Sequence, residues 1–79
     1  MHYVYVLQSE IDAAHYYVGV TTDPQRRLQE HNAGKSVHTN KHKPWKFSVC
    51  IGFSDRAKAH RFEQYLKSGS GRAFAKKHF

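Results

Sequence analysis

The fold is decided by two short apolar runs near the amino terminus, Tyr3-Val4-Tyr5-Val6-Leu7 and Tyr16-Tyr17-Val18-Gly19-Val20-Thr21. Both runs are rich in β-branched and aromatic residues, a composition that favours β-strands. The polar connection between them is too short for a crossover helix, so the two strands are predicted to form an antiparallel hairpin. Because side chains alternate along a strand, one face of this hairpin carries four valines and the opposite face carries tyrosines and a glycine.

Outward from the hairpin, the chain predicts further elements of both kinds. Asp23-Pro24 has the cap and first-position residues of a helix, which is expected to run to about Asn32 and to end at Gly34. A basic loop over residues 35–44 leads to a third strand, Trp45 to Phe53.

The carboxyl-terminal third of the chain predicts a second helix, capped by Ser54 or Asp55 and running to about Lys67. The segment 68–71, Ser-Gly-Ser-Gly, is expected to break it, and the basic tail that follows, Arg72 to Phe79, is expected to hold a short closing helix. The 79 residues therefore predict one α+β domain, a small three-stranded antiparallel sheet flanked by helices in the order β-β-α-β-α-(α).

The charge balance indicates which class of partner the protein binds. Thirteen Lys and Arg against six Asp and Glu give a formal net charge of +7, which favours a polyanion, with nucleic acid ahead of an anionic membrane surface. The single Cys50 excludes an internal disulfide scaffold, and no apolar run is long enough to span a membrane. The amino terminus lacks the pattern of a signal peptide, so we expect a cytoplasmic protein that is a monomer or a weak homodimer.

Three charged or polar residues fall on helix faces that should meet the sheet. Arg27 and His31 share the inward stripe of the first helix with Leu28, and Glu63 lies within the apolar arc of the second. Two structural alternatives remain open: Arg27 extends its charged end into water, or it forms an ion pair with Glu63. Together with the tyrosines, this set suits phosphodiester hydrolysis, because a guanidinium binds phosphate and a carboxylate holds a divalent cation.

The order and spacing of these residues resemble the GIY-YIG nuclease domain, and in particular the small stand-alone bacterial proteins of that family that are similar to excision nucleases. The resemblance is carried by Tyr3-Val4-Tyr5, by Tyr17-Val18-Gly19, by Arg27 and by Glu63. It implies that the two tyrosines line a catalytic site, that Arg27 contacts the scissile phosphate, and that Glu63 holds Mg²⁺ or Mn²⁺. The catalytic set implied in this way is Tyr5, Tyr17, Arg27, His31 and Glu63.

Further residues are predicted to contact nucleic acid, namely Gly19, Arg26, Lys35, Lys41, Lys43 and Arg72. Trp45 has two interpretations, a base-stacking platform or an anchor in the core, of which the second is favoured by its large apolar area. A zinc site built from His38, His42 and Cys50 is not favoured, because the loop offers no second cysteine and no helical spacing.

These observations leave two main hypotheses for function. The first is a metal-dependent DNA endonuclease, and the alternative is a non-catalytic module that binds nucleic acid on the same scaffold. A carboxylate that faces phosphate favours the enzyme, because a pure binding module has no use for that repulsion. A third hypothesis is a nuclease subunit that needs a protein partner for targeting.

Overall fold

The computed structural model describes residues 1–79 and contains one antiparallel sheet with helices on both of its faces. The strands are β1 (His2–Ser9), β2 (Tyr16–Thr21) and β3 (Trp45–Phe53), arranged in the order β2-β1-β3. The helices are α1 (Pro24–Asn32), α2 (Arg56–Leu66) and α3 (Gly69–His78), and one turn of 3-10 helix, Asn40–His42, precedes β3. The predicted α+β class and element order are confirmed.

The strand and helix bounds differ from the predicted ones at two places. β1 is longer at both ends, because it pairs with β3 along its whole length, from His2 opposite Phe53 to Ser9 opposite Trp45. α3 begins inside the segment that was expected to break the chain. The Ser68 side chain caps this helix by accepting a hydrogen bond from the amide of Gly71 at 3.1 Å.

Gly71 explains why α3 begins so early. A Cβ atom at this position would collide with the backbone carbonyl group of Tyr65 and would lie 2.7 Å from the Cα atom of Leu66. The glycine therefore lets the first turn of α3 pack directly against the last turn of α2. The break lies only between Leu66 and Gly69, and the rest of the segment is helical.

One face of the sheet is packed with aliphatic side chains under α2 and α3. Val4, Val6, Ala59 and Leu66 are fully buried there, and valines from β2 and β3 pack around them. The predicted core valines of the hairpin, and the apolar stripe of α2, are confirmed. We call this surface the apolar face.

The opposite face of the sheet, which carries the tyrosines, is covered by α1. Tyr5, Leu7 and Trp45 are buried on it, and Tyr17, Leu28 and Phe47 pack against them. We call this surface the α1 face. Trp45 thus has the anchoring role of its two interpretations. Cys50 lies in β3 and is exposed.

α1 begins and ends at specific hydrogen bonds. The Asp23 carboxylate accepts the amide hydrogen of Arg26 at 3.2 Å, as predicted for a cap. At the other end, the Asn32 side chain pairs with the backbone of Trp45, accepting from N at 2.6 Å and donating to O at 3.1 Å. Gly34 follows with φ of +77°, the left-handed conformation that glycine adopts readily after a helix. None of the helices has the length and apolar character needed to cross a membrane.

Candidate active site

Tyr5 lies at the centre of the α1 face, with its hydroxyl directed toward α1. Its exposed fraction is 1%, because Gly19 on the paired strand leaves room for the ring. A Cβ atom at Gly19 would collide with the Tyr5 hydroxyl and would lie 2.6 Å from the ring carbon Cζ. The resemblance implied that Gly19 packs closely against the tyrosines, and the structure places it beneath Tyr5, where it determines the position of that ring. Its predicted contact with nucleic acid stays a prediction.

His31 is fully buried and joins α1 to two other parts of the molecule. Its Nε2 atom lies 3.1 Å from the Tyr5 hydroxyl, and its Nδ1 atom lies 2.7 Å from the hydroxyl of Thr39. Thr39 is held in turn by Trp45, whose indole N–H donates to the Thr39 carbonyl oxygen at 2.9 Å. The imidazole is therefore fixed at both nitrogens by buried groups.

The neighbours of His31 determine its tautomer. Arg27 Nη2, which can only donate, lies 3.4 Å from Nε2 of His31, so we assign the lone pair to Nε2 and the proton to Nδ1. The Tyr5 hydroxyl then donates to Nε2, and Nδ1–H donates to Thr39. Burial lowers the pKa of His31, and the positive charge of Arg27 lowers it further, so the neutral form is favoured.

Arg27 is the charged member of this cluster, and its side chain is 36% exposed. Its Nη1 atom donates to the Glu30 carboxylate at 2.6 Å, one helical turn away. This bond raises the pKa of Arg27 and lowers that of Glu30, so both groups are ionised. The predicted alternative, an ion pair between Arg27 and Glu63, is wrong, because Glu30 is the carboxylate that Arg27 contacts.

Tyr17 is the half-buried tyrosine of the pair. Its ring centroid lies 4.8 Å from that of His31 and 6.3 Å from that of Tyr5. Tyr17 also lines the larger cleft of the molecule, about 800 Å³, whose lining is mainly apolar and includes Val6 and Leu66 of the apolar face together with Lys67 and Arg72. The site thus combines one buried tyrosine hydroxyl with a second tyrosine that is half-buried.

Burial raises the pKa of the Tyr5 hydroxyl above its usual value, and a hydrogen bond from Arg27 opposes only part of this effect. The charge of Tyr17 and the charge of Glu63 act in the same direction as burial. Tyr5 is therefore a neutral hydrogen-bond donor at physiological pH.

Glu63 lies on α2, and its side chain is 14% exposed. Its Oε2 atom accepts a hydrogen bond from Lys67 at 3.0 Å, while its negative charge acts on the Tyr5 hydroxyl. The structure thus brings Tyr5, Tyr17, Arg27 and His31 into contact and relates Glu63 to them by electrostatics. A single carboxylate with one oxygen not bonded to Lys67 fits Mg²⁺ or Mn²⁺, because such ions keep several waters and need few protein ligands.

The predicted nucleic-acid contacts fall in three separate places. Arg26 and Lys35 line a small cavity of about 320 Å³ on the outer side of α1. Lys41 and Lys43 are exposed at the 3-10 turn, and Arg72 borders the larger cleft beside Tyr17. Arg26 also contacts Glu30 at 3.3 Å, so its charge is partly neutralised within the helix.

Two residues of this site were not predicted from the sequence. Glu30 was not among the predicted site residues, although its spacing from Arg26 and Arg27 is that of helical ion pairs and could have identified it. Thr39 gave no signal, because a single threonine in a basic loop has no pattern that predicts burial against a histidine.

Comparisons with known proteins match most of this chain. The family model described as the GIY-YIG catalytic domain matches residues 1–77. A UPF0213 protein of Halobacterium salinarum is 40% identical over 68 residues, which cover 85% of this chain and 86% of that protein. The solution structure of a UPF0213 protein from Bacillus halodurans is 32% identical and has a TM-score of 0.57, with 95% of this chain and 79% of that chain covered.

Longer eukaryotic proteins are similar over the same region. A protein named structure-specific endonuclease subunit SLX1 homolog, from Cryptosporidium parvum, is 40% identical over 67 residues. The match covers 80% of this chain but only 16% of that protein, so this chain spans about a sixth of its length. The match over residues 1–77, the similar small relatives and the shared fold together show that this chain belongs to the GIY-YIG nuclease family.

Proposed function

We propose that this protein is a divalent-metal-dependent endonuclease that hydrolyses phosphodiester bonds in DNA. The observation that carries the proposal is the contact between the buried pair Tyr5 and His31, the guanidinium of Arg27 and the half-buried Tyr17. These groups supply a phosphate-binding cation and a hydroxyl that can reach water, which phosphodiester hydrolysis needs.

Of the two tyrosines, we assign Tyr17 to the activation of the attacking water. Tyr5 is excluded from direct contact with bulk water by its burial, and its hydroxyl already donates to His31. Tyr17 is only half-buried, so we assign to its hydroxyl the orientation of a water molecule and the acceptance of its proton.

Arg27 is assigned to the phosphate. Its guanidinium presents several N–H donors in a plane, and one of them is occupied by Glu30. A phosphate oxygen that approaches the exposed part of the Arg27 side chain would take donors that Glu30 leaves unused. Glu30 therefore holds Arg27 in position before the substrate arrives.

Glu63 is the residue that would hold Mg²⁺ or Mn²⁺. When bound, such an ion supplies positive charge that stabilises the phosphate and the leaving oxygen. Lys67 contacts the same carboxylate and lines the cleft, so it limits metal binding in the free protein and offers a charge to the phosphate backbone. We therefore expect metal affinity to rise when DNA is present.

The class of DNA substrate is suggested by the relatives. The SLX1 proteins are named subunits of structure-specific endonucleases, and this chain covers 16% and 23% of two of them. We therefore propose branched DNA as the first substrate to test, and a protein partner as a means of targeting. A monomer, or a weak homodimer, is the proposed oligomeric state.

The test is cleavage of labelled single-stranded, duplex and branched DNA with Mg²⁺, Mn²⁺ or a chelator. Wild type should cut at least one substrate only with a metal, and Glu63→Gln should lose cleavage while DNA binding is kept or improved, since a negative charge near phosphate is removed. Glu10→Gln, at an exposed residue of the β1–β2 connection, is the matched control and should cut normally.

The alternative, a module that binds nucleic acid without cutting it, predicts a different outcome of the same experiment. Salt-sensitive binding with no cleavage under any metal condition would support the module and refute the nuclease. In either case Lys41→Ala and Lys43→Ala should weaken binding to all sequences, and the removal of one phosphate-binding charge should reduce the salt slope on duplex DNA by about 0.9.

A further inference from the structure

Three side chains with metal-binding chemistry meet outside the candidate active site. Asp12 and His15 belong to the connection between β1 and β2, and His42 ends the 3-10 turn before β3. One ligand atom from each of them lies within 4.8 Å of the other two. The zinc site that the sequence did not favour, from His38, His42 and Cys50, shares only His42 with this group, and the other two ligands come from a connection far from it in the sequence.

A single buried residue holds the backbone of all three. Ser9 is 1% exposed, and its hydroxyl donates to the His42 carbonyl oxygen at 2.6 Å and accepts the amide of Asp12 at 3.2 Å. The Ser9 amide donates to the carbonyl oxygen of His15 at 3.0 Å. Because these bonds fix three backbone positions at once, the cluster is a built arrangement rather than a chance meeting of mobile loops.

The side chains are also oriented by hydrogen bonds. The amide of Ala14 donates to Asp12 Oδ1 at 3.1 Å, and His15 Nδ1 lies 2.8 Å from Asp12 Oδ2. The imidazole of His15 is stacked on that of His42, with ring centroids 3.8 Å apart. This places two imidazoles and one carboxylate together in an accessible location.

We propose that Asp12, His15 and His42 form a binding site for a transition-metal ion, with Zn²⁺ as the expected occupant and water as the fourth ligand. Two imidazoles and one carboxylate match the ligand preference of Zn²⁺, whereas Mg²⁺ prefers oxygen ligands. A tetrahedral ion with bonds of about 2.0–2.1 Å needs its ligands about 3.3 Å apart. The half-exposed His15 can rotate out of its stack on His42 to reach that geometry.

The consequence of such an ion would be to join two loops next to the α1 face. His42 contacts Trp45, whose indole N–H binds the carbonyl oxygen of Thr39, and the Thr39 hydroxyl binds His31. A bound ion would therefore stabilise residues 39–45, the segment that holds His31 in place. This proposal does not rest on the proposed nuclease function, because its ligands are outside the catalytic set.

The test is calorimetric titration of Zn²⁺ into the purified protein in an excess of Mg²⁺, together with thermal unfolding. Wild type should bind one equivalent and melt at a higher temperature with Zn²⁺. His15→Ala and His42→Ala should weaken binding about tenfold or more. The controls His38→Ala and His60→Ala, at exposed histidines, and Glu63→Gln should bind as wild type does.

Asp12→Asn provides a second variant that keeps the shape of the side chain and its bond from Ala14, so its loss of Zn²⁺ affinity cannot be attributed to misfolding. Circular dichroism of the metal-free variants identifies any that are unfolded. Equal Zn²⁺ affinity in wild type, Asp12→Asn and His15→Ala would overturn the proposal. The proposal would also be overturned if His38→Ala and His60→Ala reduced the Zn²⁺ affinity as much as His15→Ala and His42→Ala do.

Discussion

The two faces of the sheet are packed in different ways, although the same three strands build both. The apolar face is filled by aliphatic side chains such as Val4 and Leu66. The α1 face contains Tyr5, His31 and Thr39, which are buried in contact with one another through hydrogen bonds. No buried side-chain nitrogen or oxygen lacks a hydrogen-bond partner. The apolar face is therefore stabilised by the burial of apolar surface, whereas the α1 face is stabilised by burial together with a network of satisfied hydrogen bonds.

This difference shows how a chain of 79 residues combines stability with a buried polar cluster of fixed geometry. Burial of apolar surface is non-directional and tolerates small changes in side-chain orientation. A buried polar network has a defined geometry, because each group that loses its partner is strongly destabilising. The apolar face thus supplies the stability that lets the α1 face hold a histidine, an arginine and two tyrosines in fixed positions.

The largest expected effect on stability is at the apolar face. Leu66→Ala should reduce the free energy of unfolding by about 2–5 kcal/mol, because Leu66 is buried and leaves a cavity. Leu28→Ala, at a half-buried residue of the α1 face, should cost less. Chemical denaturation gives the free energy of unfolding of both variants. Equal losses of stability would show that apolar burial stabilises the two faces to the same extent.

A smaller effect is expected from removing one hydroxyl on the α1 face. Thr39→Val keeps the shape of the side chain but leaves the Nδ1–H group of His31 buried without its partner, which should cost about 1–3 kcal/mol. Thr39→Ser keeps the hydroxyl and is the control, with a loss nearer that of one methyl group. If Thr39→Val is as stable as Thr39→Ser, the hydrogen bond to His31 is not a determinant of stability.

The smallest effect is a change in the pH dependence of stability. The folded-state pKa of His31 is lowered by burial and by Arg27, so the unfolded chain binds the proton more readily. The stabilisation that neutral His31 gives to the folded protein is complete above its pKa in the unfolded chain, about 6.5. It is lost as the pH falls toward the lower pKa of the folded state. The lowered pKa values of Asp12, Glu30 and Asp55 act at lower pH, below about 4.

Equilibrium unfolding measured between neutral pH and about pH 5 should therefore show a decline that is shallower in His31→Gln than in wild type. His60→Gln, at an exposed histidine of α2, serves as the control and should keep the wild-type slope. Parallel slopes in all three proteins would mean that His31 titrates normally and that the α1 face does not exclude its proton.

Much of the fold was predictable from local pattern. The strand runs around Val4 and Val18, and the cap at Asp23, are signals contained in a few neighbouring residues, and the structure confirms them. The inward positions of Arg27 and His31 followed from helical spacing. The bounds of β1 and the start of α3 were less predictable, because pairing with β3 and the close packing of Gly71 are decided by distant parts of the chain.

The partners within the site were not predictable in the same way. Which carboxylate binds Arg27 depends on the rotamers of Glu30 and on where α2 places Glu63 relative to the sheet. The role of Thr39 depends on a loop whose path is determined by Trp45 and Ser9, far apart in the sequence. Residue types could therefore be predicted from the pattern, whereas their contacts required the tertiary structure.

We assign the nuclease chemistry to the α1 face, and substitution of two neighbouring tyrosines on opposite faces of β2 tests this assignment. Tyr17 contacts the His31 ring, whereas Tyr16 is 56% exposed and accepts a hydrogen bond from Gln8. The measurement is the single-turnover rate of DNA cleavage by wild type, Tyr17→Phe and Tyr16→Phe. We expect a loss of about 10²-fold or more in Tyr17→Phe, with its fold intact, and a rate near that of wild type in Tyr16→Phe. Equal cleavage by the two variants would contradict this assignment.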